Sequence, residues 1–195
     1  MYWKIGDILE GEANGYYTRM LGNRLDRLIK AEFSGQYRIY YDHKVVDPDS
    51  IITQLVIDNQ AENLSEIDLA IVSTRHDGER LCLVSEIEEH KHTPKRLLGD
   101  IAAIMMADQV LVDGHKHPLE NVVILLGFVT RKGGGTGPRA ERYTSRFVSM
   151  ISEGIAGKRG VWCIVLSAND GEQLVNKVEE CVKSHLCKGF EPPTS

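Results

Sequence analysis

The chain has no apolar run near the roughly 20 residues that a membrane helix needs. Its opening, MYWKIGDILEGEANG, lacks a basic stretch followed by an apolar one and a cleavage site. A membrane span and a secretory leader are therefore not expected. Cysteine is sparse, and Cys82, Cys163, Cys181 and Cys187 share no close paired spacing. Two fall in expected strands and two in the last helix. That pattern favours reduced thiols in a cytoplasmic protein over a disulfide frame or a cysteine zinc site. Positive charge is also short: the formal net charge is -5. A protein held on nucleic acid by global charge would be basic, so any such binding must use a local patch. No Ser-His-Asp set or nucleophile elbow is visible.

What is there suits one domain over residues 1–195. A chain of 195 residues, 42% hydrophobic and 26% charged, can bury a sizeable core. No linker or structural repeat interrupts it. Met20, Leu21, Leu25, Leu28 and Ile29 recur at helical spacing, which predicts a helix over Thr18 to Phe33, ended by Ser34-Gly35. Two strands are expected over Tyr37 to Val46 and Ile51 to Ile57, with a turn at Asp47-Pro48-Asp49-Ser50 between them. The apolar stretches IDLAIV and LCLV follow as an antiparallel hairpin around His76-Asp77-Gly78. Thr93 as N-cap and Pro94 at the first position open a helix through KRLLGDIAAIMMAD. NVVILLGFV (Asn121 to Val129) is too apolar for a half-exposed strand and reads as a central one. A glycine-rich loop, a helix over Arg139 to Gly154, a buried strand VWCIVLS and a helix over Glu172 to Leu186 complete the chain, before a frayed tail from Phe190. Hairpins first and strand–helix alternation afterwards predict an α/β fold: a mixed central sheet with an antiparallel hairpin region, flanked by helices on both faces.

The informative residues are acids. Glu86 and Glu88 lie two apart in a strand, so they share a face about 7 Å apart. Asp68 can lie across from them on the neighbouring strand. Three carboxylates converging at a hairpin end make a poor core and a good site for a hard divalent cation.

With its helix, run of strands, further helix and strand, and with this acid placement, the chain resembles the PD-(D/E)xK, or restriction-endonuclease-like, nuclease superfamily over roughly residues 17 to 129. The resemblance implies that fold, Mg²⁺ (or Mn²⁺) as cofactor, and hydrolysis of DNA phosphodiesters, with RNA as the other polymer open to it. It implies Asp68 as the first acid, Glu86 as the second and Ile87 as the apolar residue between. The lysine position holds Glu88, giving E-x-E. Lys91, or Lys95 in the next helix, could replace that lysine. Glu89-His90-Lys91 is a second, lower-ranked register. Asp26, in Gly22-Asn23-Arg24-Leu25-Asp26, matches a further helix acid of the family, with Glu32 as the alternative. In such a site Asp68, Glu86 and Glu88 are the metal ligands, and Glu88 or a lysine orients the attacking water. A homodimer is in keeping with cutting two strands.

Other signals are weaker. RKGGGTGPRAERYTSR (Arg131 to Arg146) holds five basic residues and one acid. Its Arg131, Lys132 and Arg139 are candidate contacts to a nucleic-acid backbone, set against a flexible connector. Arg19, Arg24, Arg27 and Lys30 form a second basic group, set against a solvated helix face. His90-x-His92 and His115-x-His117 are weak transition-metal pairs. Two other functions stay open: a nucleic-acid-binding or regulatory protein that keeps the fold without catalysis, and a nucleotide-binding α/β protein using the glycine loop.

Overall fold

The computed structural model describes residues 15–42, 53–56, 63–74, 78–88, 102–129 and 161–190, with positions 99, 146 and 149. Helix α1 (Tyr16–Glu32) buries Leu21, Leu25 and Ile29, the stripe that its helical period sets on one side. It ends where the Phe33 amide bonds the Ile29 carbonyl, and Gly35 then takes φ +73°, a conformation open to glycine. Helix α2 (Gly171–Lys188) starts on Asp170, whose side chain accepts from the Gln173 amide, and stops at Gly189 with φ 72°.

Among the described residues, nine strands lie between or beside these helices: β1 (Tyr37–Tyr41), β2 (Thr53–Val56), β3 (Asn63–Ile67), β4 (Leu69–Ser73), β5 (Arg80–Glu88), β6 (Gln109–Val112), β7 (His115–Pro118), β8 (Val123–Val129) and β9 (Trp162–Ala168). They form two sheets. The first runs β1-β4-β5-β8-β9 and the second β3-β2-β6-β7. In the first sheet the β1–β4 and β4–β5 pairs are antiparallel, whereas β5–β8 and β8–β9 are parallel. The sheet is mixed, with β5 in the middle and β8 an interior strand between β5 and β9, as the unbroken apolar run of NVVILLGFV implies for a strand covered on both faces.

One face of this sheet packs on the two helices. Leu21, Leu25, Leu69, Ile71, Leu83, Leu125, Leu174, Val178 and Val182 share a core there. Each such leucine stabilises the fold by roughly 1.5–3 kcal/mol on full burial. The ion pairs joining the helices, Arg24–Glu179 at 3.3 Å and Lys183–Glu32 at 2.9 Å, are solvent-facing and contribute less, about 0–1 kcal/mol each. Gly127 in β8 leaves room for Ile87, Leu174 and Val178, which would lie 3.1, 3.3 and 3.5 Å from an added Cβ.

The other face is covered differently from expectation. Ala70, Val72, Val84, Ile124 and Leu126 meet Leu55, Ile67, Val110 and Val112 of the second sheet, with Ile104 from a helical stretch at 102–106. A helix does lie on this side, but among the described residues strands supply much of the cover. The difference lies in two short pieces, β3 and the β6–β7 hairpin, that the sequence reading did not assign.

The expected strand IDLAIV is also broken. β3 ends at Ile67 in the second sheet and β4 begins at Leu69 in the first, so Asp68 is the bend where the chain changes sheets. The turn at Asp47 to Ser50, residues His76-Asp77, the helix start at Thr93-Pro94 and most of the helix expected over Arg139 to Gly154 lie outside the described residues. No helix among the described residues is long and apolar enough to cross a membrane.

Candidate functional site

The candidate site sits where β1, β4 and β5 end together. β4 and β5 pair with Leu69 opposite Ser85. Asp68 is the bend next to that last pair, and its carboxylate reaches the Ile87 amide, which follows Glu86 in β5. Along β5, Leu83 and Ile87 belong to the helix-covered core and Val84 to the core under the second sheet. Alternation therefore aims Glu86 and Glu88 toward the second-sheet side. Glu86 is half-buried, and Glu88 is only 9% exposed. A carboxylate so enclosed is costly unless its charge is answered. Asp68, Glu86 and Glu88 all take part in further interactions.

Asp68 has a defined local role. Its Oδ2 accepts a hydrogen bond from the Ile87 amide at 2.7 Å. β4 begins at Leu69 and its ladder with β5 stops there, and just beyond it the Asp68 carboxylate binds the Ile87 amide. Its own carbonyl accepts from the Asp42 amide at 3.0 Å. β1 pairs with β4 as Tyr41 opposite Leu69, so Asp42 falls opposite Asp68. Asp42, Asp68 and Glu86 thus form a row across three strand ends. Sequence reading missed Asp42, because nothing local marks which residue of β1 reaches the level of Asp68.

The other expected residues fall elsewhere. Asp26 is in α1, and its carboxylate accepts from Lys30 at 2.7 Å. That helix packs on the sheet face opposite to the one Glu86 and Glu88 point to. Glu32, the alternative, is paired with Lys183 of α2. Of the first-helix bases, Arg24 is bonded to Asn176 and Glu179, and Lys30 to Asp26, so half of that group is matched by protein partners. Lys91, Lys95, Glu89, Arg131, Lys132 and Arg139, the glycine loop and the His90-x-His92 pair lie outside the described residues.

The structure also limits the chemistry. Among the described residues no group of three or more His, Cys, Asp or Glu side chains is arranged to hold a metal ion. Asp68 and Glu86 are the two carboxylates at this end of the sheet that could share a cation. Such a donor set suits Mg²⁺, which keeps several waters and needs few protein oxygens. A thiol site is disfavoured. All four cysteines are free, and burial pushes the Cys163 thiol up to about 12 and the Cys181 thiol upward as well. His117 in β7 is 6% exposed, and burial holds its pKa below the usual value against an upward pull from Glu79.

Comparison of the chain with protein-family models, with curated proteins and with solved structures finds no match.

Proposed function

We propose that this protein is a metal-dependent phosphodiesterase of the restriction-endonuclease-like kind, hydrolysing DNA at the Asp68–Glu86 end of its five-stranded sheet. The observation that carries this reading is the contact of the Asp68 carboxylate with the Ile87 amide, next to Glu86 and just past the Leu69–Ser85 pair of β4 and β5. The order of elements supports it: α1, the antiparallel strands β1, β4 and β5, a helical stretch, then β8 parallel to β5. Asp68 and Glu86 would hold Mg²⁺ or Mn²⁺, with Glu88, two residues on in β5, as the group that orients water. A bound cation would offset charge on the phosphate oxygens and lower the pKa of a coordinated water. Lys91 is assigned to the charge that the motif lysine supplies, and Arg131, Lys132 and Arg139 to the DNA backbone. Both assignments rest on sequence position. Cutting both strands favours a homodimer.

One observation favours a second reading, a fold that binds nucleic acid or regulates without cutting. The lysine position carries Glu88, nearly buried, and Asp68 already spends one oxygen on the Ile87 amide. A nucleotide-binding role for the glycine loop rests on that loop alone.

Plasmid nicking in Mg²⁺ and in Mn²⁺, with Mn²⁺ titration calorimetry, separates these readings. The parent should cut and bind Mn²⁺. Asp68→Ala and Glu86→Ala should each abolish cutting while circular dichroism stays native. Full activity in either variant removes that residue as an essential ligand. Tight DNA binding without cutting in the parent selects the non-catalytic reading, and ATP or GTP binding without cutting selects the third.

A further inference from the structure

The hydrogen bond from the Ile87 amide to Asp68 Oδ2 does more than close the sheet. We propose that the Ile87 amide is the positioning group of the strand-end site. It clamps one oxygen of Asp68, so that a cation meets this residue through a single carboxylate oxygen of fixed placement. The inference deepens the reading of Asp68 and Glu86 as metal ligands and rests on it for the cation, but the clamp itself stands on geometry.

Three observations converge on it. The contact is 2.7 Å, short for an N–H donor and in the range of charge-assisted bonds to carboxylates. It falls one residue beyond the end of β4, where the chain leaves for the second sheet and the β4–β5 ladder has stopped. Both flanks are anchored: the Asp68 carbonyl is bonded to the Asp42 amide, and the Ile87 side chain is 5% exposed in the helix-covered core. The backbone at both ends of the clamp is therefore held, and the carboxylate has little freedom to turn. A ligand whose supporting hydrogen bond is fixed in advance loses less entropy when a cation binds, and loss of such support commonly weakens metal binding about 10- to 100-fold.

The test compares Asp68→Asn, Asp68→Ala and Asp68→Glu with the parent. The readouts are hydrogen exchange of the Ile87 amide by NMR, thermal unfolding without metal, and Mn²⁺ affinity by electron paramagnetic resonance. Asparagine keeps an oxygen acceptor for the amide but loses the charge. Asp68→Asn should keep Ile87 protection and Tm near the parent while Mn²⁺ binding falls at least about tenfold. Asp68→Ala should lose both protection and Tm. Asp68→Glu keeps the charge on a longer arm, and should bind Mn²⁺ more weakly than the parent although its charge is intact. Equal Ile87 protection in the parent and Asp68→Ala overturns the clamp. Parental Mn²⁺ affinity in Asp68→Glu overturns its positioning role. Parental Mn²⁺ affinity in Asp68→Asn, with the exchange pattern as expected, would instead remove Asp68 as a charged ligand and leave the clamp standing.

Discussion

Replacing Gly22 by alanine sets two known effects of opposite sign against each other. In an exposed helix, alanine in place of glycine stabilises by about 0.8–1 kcal/mol. Gly22 is not exposed: it lies in the buried stripe of α1, and an added Cβ would overlap Cγ, Cδ2 and Cε2 of the Tyr41 ring. Those are rigid ring atoms, so the ring itself must move. Tyr41 is held from β1 and by its hydroxyl, which donates to Asn23 Oδ1 at 3.0 Å. Overpacking of this kind costs about 1–3 kcal/mol. Loss of the solvent-facing hydrogen bond adds about 0.5–1.5 kcal/mol. After the helix gain is subtracted, Gly22→Ala should destabilise by about 2 kcal/mol, and Tm should fall by about 4–8 °C in a chain of this size. Urea unfolding of Gly22→Ala, Tyr41→Ala and the double variant tests the reasoning. In the Tyr41→Ala background the ring is gone, and the same glycine change should stabilise. A Gly22→Ala protein more stable than the parent would refute the packing argument.

Ser85 lies between Leu83 and Ile87 on the helix-covered face, 1% exposed, and its Oγ has no hydrogen-bond partner among the described residues. Removing that unsatisfied oxygen in Ser85→Ala should raise stability by about 1 kcal/mol, read from the urea midpoint; a loss of that size would mean that the hydroxyl is satisfied in solution. His117 should make stability depend on acid. Its folded pKa is held below the unfolded value of about 6.5, chiefly by burial, so the unfolded chain takes up the proton first. Its neutral form carries no penalty above that pH, and stability falls as pH drops from about 6.5 toward the lowered folded value. His117→Gln should show a shallower decline between pH 7.5 and 5.5 in urea titrations, and an unchanged difference between the two pH values would clear His117 of the effect.

Much of the architecture was legible without coordinates because it depends on neighbours in sequence. Leu21, Leu25 and Ile29 mark α1 by their period, and the expected helix over Thr18 to Phe33 falls within two residues of the observed Tyr16–Glu32. The final helix is likewise observed at Gly171–Lys188, and the continuous apolar run NVVILLGFV marks the interior strand β8. The β6–β7 hairpin was readable and went unread: Asp113 at φ 50° and Gly114 at φ 76° form an Asp-Gly turn after the alternating QVLV.

What the sequence by itself determined is therefore local: which segments coil, which extend, and that acids cluster near the end of an apolar strand. Tertiary structure alone decided the rest. IDLAIV reads as one strand because its residues are uniformly suited to one, yet pairing partners far away in the chain pull its two ends into different sheets and leave Asp68 at the bend. The same long-range pairing chose the level at which β1, β4 and β5 end, and so brought Asp42 and Glu86 to either side of Asp68. It set Asp26 against Lys30 on the helix layer instead. Register is the physical reason: a shift of one residue reverses every side chain in a strand, and contacts spread over the whole fold, not any short stretch, settle which register wins.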